Sequence, residues 1–207
     1  MKQTLSITVP RDYSAITLKQ YLQFRTEMDN YKDDPEAVET ILFHYICGVP
    51  AELVSKIDVE TLNKIREDLS RFMADTNYEL QKFVTIDGVE YGFEPNLSKM
   101  AYGAYLDIAR YDTITIDKNW AKIMDILYRP VTKKVGSSYE VRQYNGEINE
   151  DKWYGVGMDI HWGCLFFFSD LLKDLLNSTQ KSLMKEEVIP PSIKSILERS
   201  GNRTPQS

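Results

Sequence analysis

At 207 residues the chain is long enough for one well-buried core, or for a main body with a small appendage, and 43% hydrophobic with 12% aromatic residues is too apolar for a disordered polypeptide. A net charge of −6 and a pI near 5.1 argue against a nucleic-acid binder, which presents a basic face. The longest apolar run, Cys164 to Phe168, is far too short to span a bilayer, nothing at the N-terminus has the layout of a signal peptide, and two cysteines in apolar helical stretches read as reduced thiols of a cytosolic protein.

Leu5, Ile7 and Val9 alternate with polar residues and stop at Pro10, which predicts a short N-terminal strand. Thr17 with Gln20 forms a capping-box pattern and opens a predicted helix to about Asp29, with Leu18, Tyr21, Leu22, Arg25 and Met28 at helical spacing. Asp34 as N-cap, Pro35 at the first helical position and Gly48 before Pro50 bracket a second helix whose buried stripe is Val38, Ile41, Leu42, Tyr45 and Ile46. A helical turn is expected over Ala51 to Lys56. Asp58 then caps a third helix that is apolar at Val59, Leu62, Ile65, Leu69, Phe72 and Met73 and charged opposite.

The most decided local structure is Phe83 to Phe93. Two β-rich runs meet at Asp87-Gly88, a pair at ease at positive φ, so a two-residue turn sets Ile86 against Val89 and Val84 against Tyr91. Phe83 opposite Gly92 is expected to lay its ring over the bare glycine backbone. Helices are predicted over Met100 to Tyr111, with Gly103 permitting close packing, and from Asp117 through Trp120, Ile123, Met124, Leu127 and Tyr128 to Pro130. A second hairpin is expected over residues 131–144 around Gly136, Ser137 and Ser138, then a helical turn at Asn149 to Tyr154. A last helix opens at Asp159 and is apolar nearly all round from Cys164 to Phe168, the mark of burial or of a partner surface. The fold class is therefore α+β: a mainly helical single domain over residues 1–185 with one well-defined hairpin at 82–93, a second at 131–144 and a short N-terminal strand, followed by a flexible C-terminal tail over 186–207.

No catalytic motif stands out in the sequence, and a small enzyme or zinc protein is the less favoured alternative to a binding protein. Gly155-Val156-Gly157 lacks the third glycine and preceding strand of a phosphate-cradling loop, and no strained nucleophile turn surrounds a serine. No cofactor is expected. His44-x-x-Cys47 and His161-x-x-Cys164 each place a nitrogen and a sulfur on one helix face, so together they either complete a tetrahedral zinc set or are core histidines beside buried thiols, the commoner arrangement. Lys133 and Lys134, with Arg129 and Arg142, form the basic cluster of the chain, either a solvated hairpin rim or a site for phosphate or an acidic partner.

Several motifs in order resemble small proteins of tailed-bacteriophage morphogenesis, above all those described as tail assembly chaperones. They are Ile7-Thr8-Val9-Pro10 with Ile16-Thr17-Leu18-x-Gln20-Tyr21, Cys47-Gly48-Val49-Pro50, Asp87 to Phe93 with Pro95 and Leu97, Met100 to Ile108, Leu127-Tyr128-Arg129-Pro130-Val131, Tyr144-Asn145-Gly146 and the helix Leu165 to Leu176. In that family the segment matching Met100 to Tyr105 carries Thr and Glu where this chain has Ala101 and Ala104, so a capping box is missing and Ser98 is the expected cap. The resemblance implies a non-enzymatic, oligomerising protein of the host cytoplasm that binds other phage virion proteins, keeping a long apolar helical tape-measure protein soluble. A structural or cargo protein retained in the virion at the portal, neck or tail ring is the alternative. No direct contact with nucleic acid or membrane is implied. Such a role needs apolar anchors at helical spacing, and the candidates for partner binding are Tyr102, Tyr105, Trp120, Trp162, Phe166 and Phe167.

Overall fold

The computed structural model describes residues 7–74, 78–113 and 115–185. These form an α+β protein with one antiparallel sheet of four strands in the order β1-β2-β3-β4. The elements are α1 (Leu18–Tyr31), α2 (Pro35–Cys47), α3 (Ala51–Val54), α4 (Val59–Ala74), β1 (Phe83–Ile86), β2 (Val89–Phe93), α5 (Tyr102–Ile108), α6 (Trp120–Leu127), β3 (Tyr128–Val135), β4 (Ser138–Val141) and α7 (Met158–Lys185). The chain divides into two units after Phe167, within α7, and the second unit is, in its described residues, the helical continuation to Lys185. The expected tail over 186–207 lies outside the described residues.

Helix starts follow their caps. Thr17 and Gln20 make both halves of the capping box on α1, the Asp34 carboxylate accepts from the Glu36 and Ala37 amides at the start of α2, and Gly48 closes that helix at φ +67°. The Asp58 carboxylate accepts from the Thr61 amide at the start of α4. The stripes hold less well. Phe43, outside the expected stripe of α2, is fully buried, while Val59 and Met73 of α4 face solvent. Ile7 to Pro10 have no regular structure, and no strand among the described residues pairs with them to complete a ladder; Leu5 lies outside the described residues.

The first hairpin has the expected register, Ile86 opposite Val89 and Val84 opposite Tyr91, about a turn with φ +51° at Asp87 and +77° at Gly88. The cover over Gly92 comes from elsewhere. A Cβ at Gly92 would lie 3.0 Å from the Tyr139 ring and from Val141, and 3.1 Å from Val131. The β3–β4 hairpin folds over this face, with the Tyr139 hydroxyl donating to the Phe93 carbonyl at 2.7 Å and its ring 4.6 Å from that of Phe83. Phe83 therefore packs on Tyr139 rather than capping the glycine itself.

Tyr128 is the first residue of β3 instead of the last turn of α6. Pro130 disfavours helix at the residue before it, and the extended backbone at Tyr128 places its ring 5.2 Å from Phe93 and 5.4 Å from Trp153, with the hydroxyl donating to the Gln81 carbonyl at 2.6 Å. Met100 to Tyr111 shortens to α5, which begins without a side-chain cap; Asn96, not Ser98, caps the short turn at Leu97–Lys99. Gly103 serves no close approach, since a Cβ there would meet nothing nearer than the Tyr144 ring at 3.8 Å, and the buried small residue of α5 is Ala104.

The core of the first unit is built on α6, in which Trp120, Ala121, Ile123, Met124, Ile126 and Leu127 are all sealed from solvent. Its one carboxylate, Asp125, receives the Trp153 indole N–H at 3.1 Å, the Asn149 amide at 2.6 Å and the Lys152 ammonium, and so fastens residues 149–153 of the connection between β4 and α7. That connection then pairs with the start of α1: the Leu18 amide donates to the Val156 carbonyl at 3.0 Å and the Met158 amide to the Ile16 carbonyl at 2.8 Å. Asp125→Ala leaves a largely buried ammonium with no counter-charge, hydrogen-bonded only to the Asn149 carbonyl at 2.6 Å, and leaves the Trp153 indole and Asn149 amide without their acceptor; it is expected to cost about 3 kcal/mol in urea unfolding. Adding Lys152→Met should return about 1 kcal/mol or more, since the orphaned charge is then gone. A single variant within about 0.5 kcal/mol of the parent would show that the carboxylate does not fasten this segment.

Candidate functional site

Six aromatic residues were expected at the partner surface, and they divide three ways. Tyr102 and Tyr105 stand in solvent, 73% and 59% exposed, with their rings stacked 6.4 Å apart. Trp162, Phe166 and Phe167 are half-buried in contact with other rings: Trp162 lies 5.3 Å from Tyr21 and 5.9 Å from Phe166, and Phe167 lies 5.4 Å from Phe93. Trp120 does not belong to the surface. It is fully enclosed, its indole N–H donating to His161 Nδ1 at 3.2 Å, because the apolar face of α6 points inward.

The exposed pair belongs to a longer stripe. Tyr102, Tyr105, Leu106 and Ala109 recur at i, i+3, i+4 and i+7, and all four are exposed. The opposite side of α5 is held down by the buried Ala104 and by Asp107, which accepts from the Tyr144 hydroxyl at 2.5 Å and from Arg110 at 2.9 Å. The helix is thus attached through its short and polar side, leaving its apolar side outward. Leu106 and Ala109 were missed in the sequence, although their spacing from Tyr102 is the helix-docking spacing.

The four residues of the possible zinc set do not come together. Among the described residues no three His, Cys, Asp or Glu side chains are placed to hold a metal ion. His44 is exposed and its Nδ1 pairs with the Val49 carbonyl at 2.9 Å, whereas His161 and Cys164 are fully buried. Burial pushes the Cys47 thiol up to about 11 and raises Cys164 as well, so neither sits in the electropositive setting that activates a thiolate. The basic cluster is likewise dispersed into pairs: Lys133 with Glu140 at 3.7 Å, Lys134 with Glu90 at 2.9 Å, and Arg129 with Glu94.

No family model, curated protein or solved structure matches this chain. Among the described residues no helix is long and apolar enough to cross a membrane.

His161 gives the core a pH response. Burial drives its pKa down to about 3, against the opposing pull of the Trp153 and Val156 backbone groups. The folded ring stays neutral while the unfolded one takes up a proton below about 6.5, so stability falls as pH falls through that value. Between pH 7 and pH 5 the loss is expected to be about 2 kcal/mol. His161→Gln keeps an acceptor for Trp120 without titrating, and urea midpoints measured across the same window should flatten; an unchanged slope would remove the assignment.

Proposed function

We propose that this protein is a non-enzymatic assembly factor of a tailed phage, acting as a tail assembly chaperone that holds an apolar helical segment of another virion protein. The observation that carries the reading is the outward stripe on α5. Four apolar residues at helix-docking spacing stand in solvent on a helix whose polar side is tied to the protein body. A partner helix laid along this stripe would bury both phenol rings, the kind of large, rigid side chain that dominates binding interfaces. The net charge of −6 keeps such a protein soluble while it offers an apolar face. The ordered motifs that resemble those of tail assembly chaperones support the choice of partner, a tape-measure protein, and a site of action in the host cytoplasm. Retention in the virion at the portal, neck or tail ring is the competing reading.

Co-expression with a tailed-phage tape-measure protein tests this directly. The parent should raise the soluble yield of the tape-measure protein severalfold, and Tyr102→Ala/Tyr105→Ala should abolish that gain. The variant's own stability should stay within about 0.5 kcal/mol of the parent, since both rings are exposed. A tape-measure protein that is equally soluble alone would overturn the reading. Mass spectrometry of purified particles separates the two roles, a chaperone being nearly absent and a structural component present at fixed copy number.

A further inference from the structure

A second feature lies away from α5's outward stripe. The end of α6, the first residues of β3 and residues 142–152 enclose a cleft of about 250 Å³, lined by Tyr91, Asp125, Arg129, Arg142, Tyr144 and Lys152 among others. We propose that this cleft binds a small oxyanion, phosphate or carboxylate, on the guanidinium of Arg142.

Three cations line the cleft, two of them already committed, and of the two lining carboxylates Asp125 is paired with Lys152 while Glu147 accepts from the Asn145 side chain at 2.7 Å. Lys152 is held by Asp125 and Arg129 by Glu94, both pairs largely buried. Arg142 has no carboxylate within ion-pairing distance among the described residues, whereas its hairpin neighbours Lys133 and Lys134 are both paired outside the cleft. Only its backbone is engaged, the amide donating to the Pro130 carbonyl at 2.8 Å. Arg129, 9% exposed, adds a second sign of unused donor capacity, because its Nε is buried without a hydrogen-bond partner. A guanidinium presents parallel N–H groups that match the two oxygens of a phosphate or carboxylate. Of the lining tyrosines, Tyr128 donates its hydroxyl to the Gln81 carbonyl and Tyr144 donates its own to Asp107, so neither proton is free for the anion. The volume lies below the usual range for ligand pockets, so the occupant is a phosphate or carboxylate group carrying few further atoms. In a chain of net charge −6 an anion is repelled at long range, which leaves capture to this local guanidinium.

The test is a titration of the full chain with inorganic phosphate and, separately, with succinate, against sodium chloride at matched ionic strength, read by the side-chain Nε–H resonance of Arg142. A saturable shift with a dissociation constant of about 1 mM or tighter for either anion supports the site, and the anion that saturates identifies the source chemistry. Arg142→Gln should weaken binding at least about tenfold without lowering the melting temperature, while Lys133→Gln should leave it unchanged. No saturation by either anion up to about ten times that concentration overturns the proposal. Equal weakening by Lys133→Gln does so too, since diffuse charge and not the cleft would then hold the ion.

Discussion

Six of the eight residues of α6 are closed off from water, and a helix that apolar is stable only if neighbouring elements cover it on nearly every side. The polar point in that surface is Asp125. Its two oxygens receive an indole N–H, a backbone amide and an ammonium from a five-residue stretch, so the carboxylate is satisfied where an unpartnered one would be costly. This requirement organises the first unit. Trp153 is brought down onto Tyr128 and Tyr91, the following residues reach α1, and α7 starts from a fixed place. His161 then lies within reach of Trp120, and the two indoles and the imidazole form one buried group around the helix.

The sheet serves the same core from the other side. β1 and β2 turn Val84, Ile86, Tyr91 and Phe93 toward the helices, while the β3–β4 hairpin curls over the opposite face. β3 pairs with β2 over Tyr128 to Pro130 and with β4 from Val131 onward, and a bulge between Val131 and Lys133 interrupts the β3–β4 register; bulges of this kind bend a strand and increase its twist. Tyr139 can then reach Phe93, and Gly92 has no room for a side chain. An ion pair of Lys134 with Glu90, with the same ammonium 3.8 Å above the Phe83 ring, covers the outer edge of this contact.

What was legible in the sequence was whatever local chemistry decides. The Asp87-Gly88 turn fixed a register four pairs long, and the caps at Thr17, Asp34 and Asp58 marked helix starts to the residue, because each depends on atoms within three positions along the chain. Apart from the cap at Asn96, the larger departures involve distant partners. Tyr128 leaves its helix for rings on β2 and the 151–155 turn, and Gly92 is covered by Tyr139 and Val141 from the far hairpin. The candidate surface split for the same reason. Helical spacing identifies Trp120 and Tyr102 alike as members of an apolar face, and only tertiary placement turns the first inward and the second outward.

Of the two aromatic groups near the surface, the stripe on α5 is the one that fits the proposed docking. Trp162 and Phe166 belong to a chain of rings running through Tyr21 and Tyr78, with Trp162 and Phe166 stacked at 17° and Tyr78 and Phe166 at 15°. Much of their surface is already removed from water, so a ligand there would gain little further burial and would have to fit rings whose positions are fixed by one another. Tyr102 and Tyr105 contact mainly each other. At about 25 cal/mol per Å² of apolar surface, and with rings of the size that bury roughly 150–250 Å² each, covering this pair releases several kcal/mol before the entropy of association is subtracted. The attachment through Asp107 and Ala104 would keep that subtraction small on the side of α5 if the proposed partner docks there, since a helix already held in place loses little freedom on being covered.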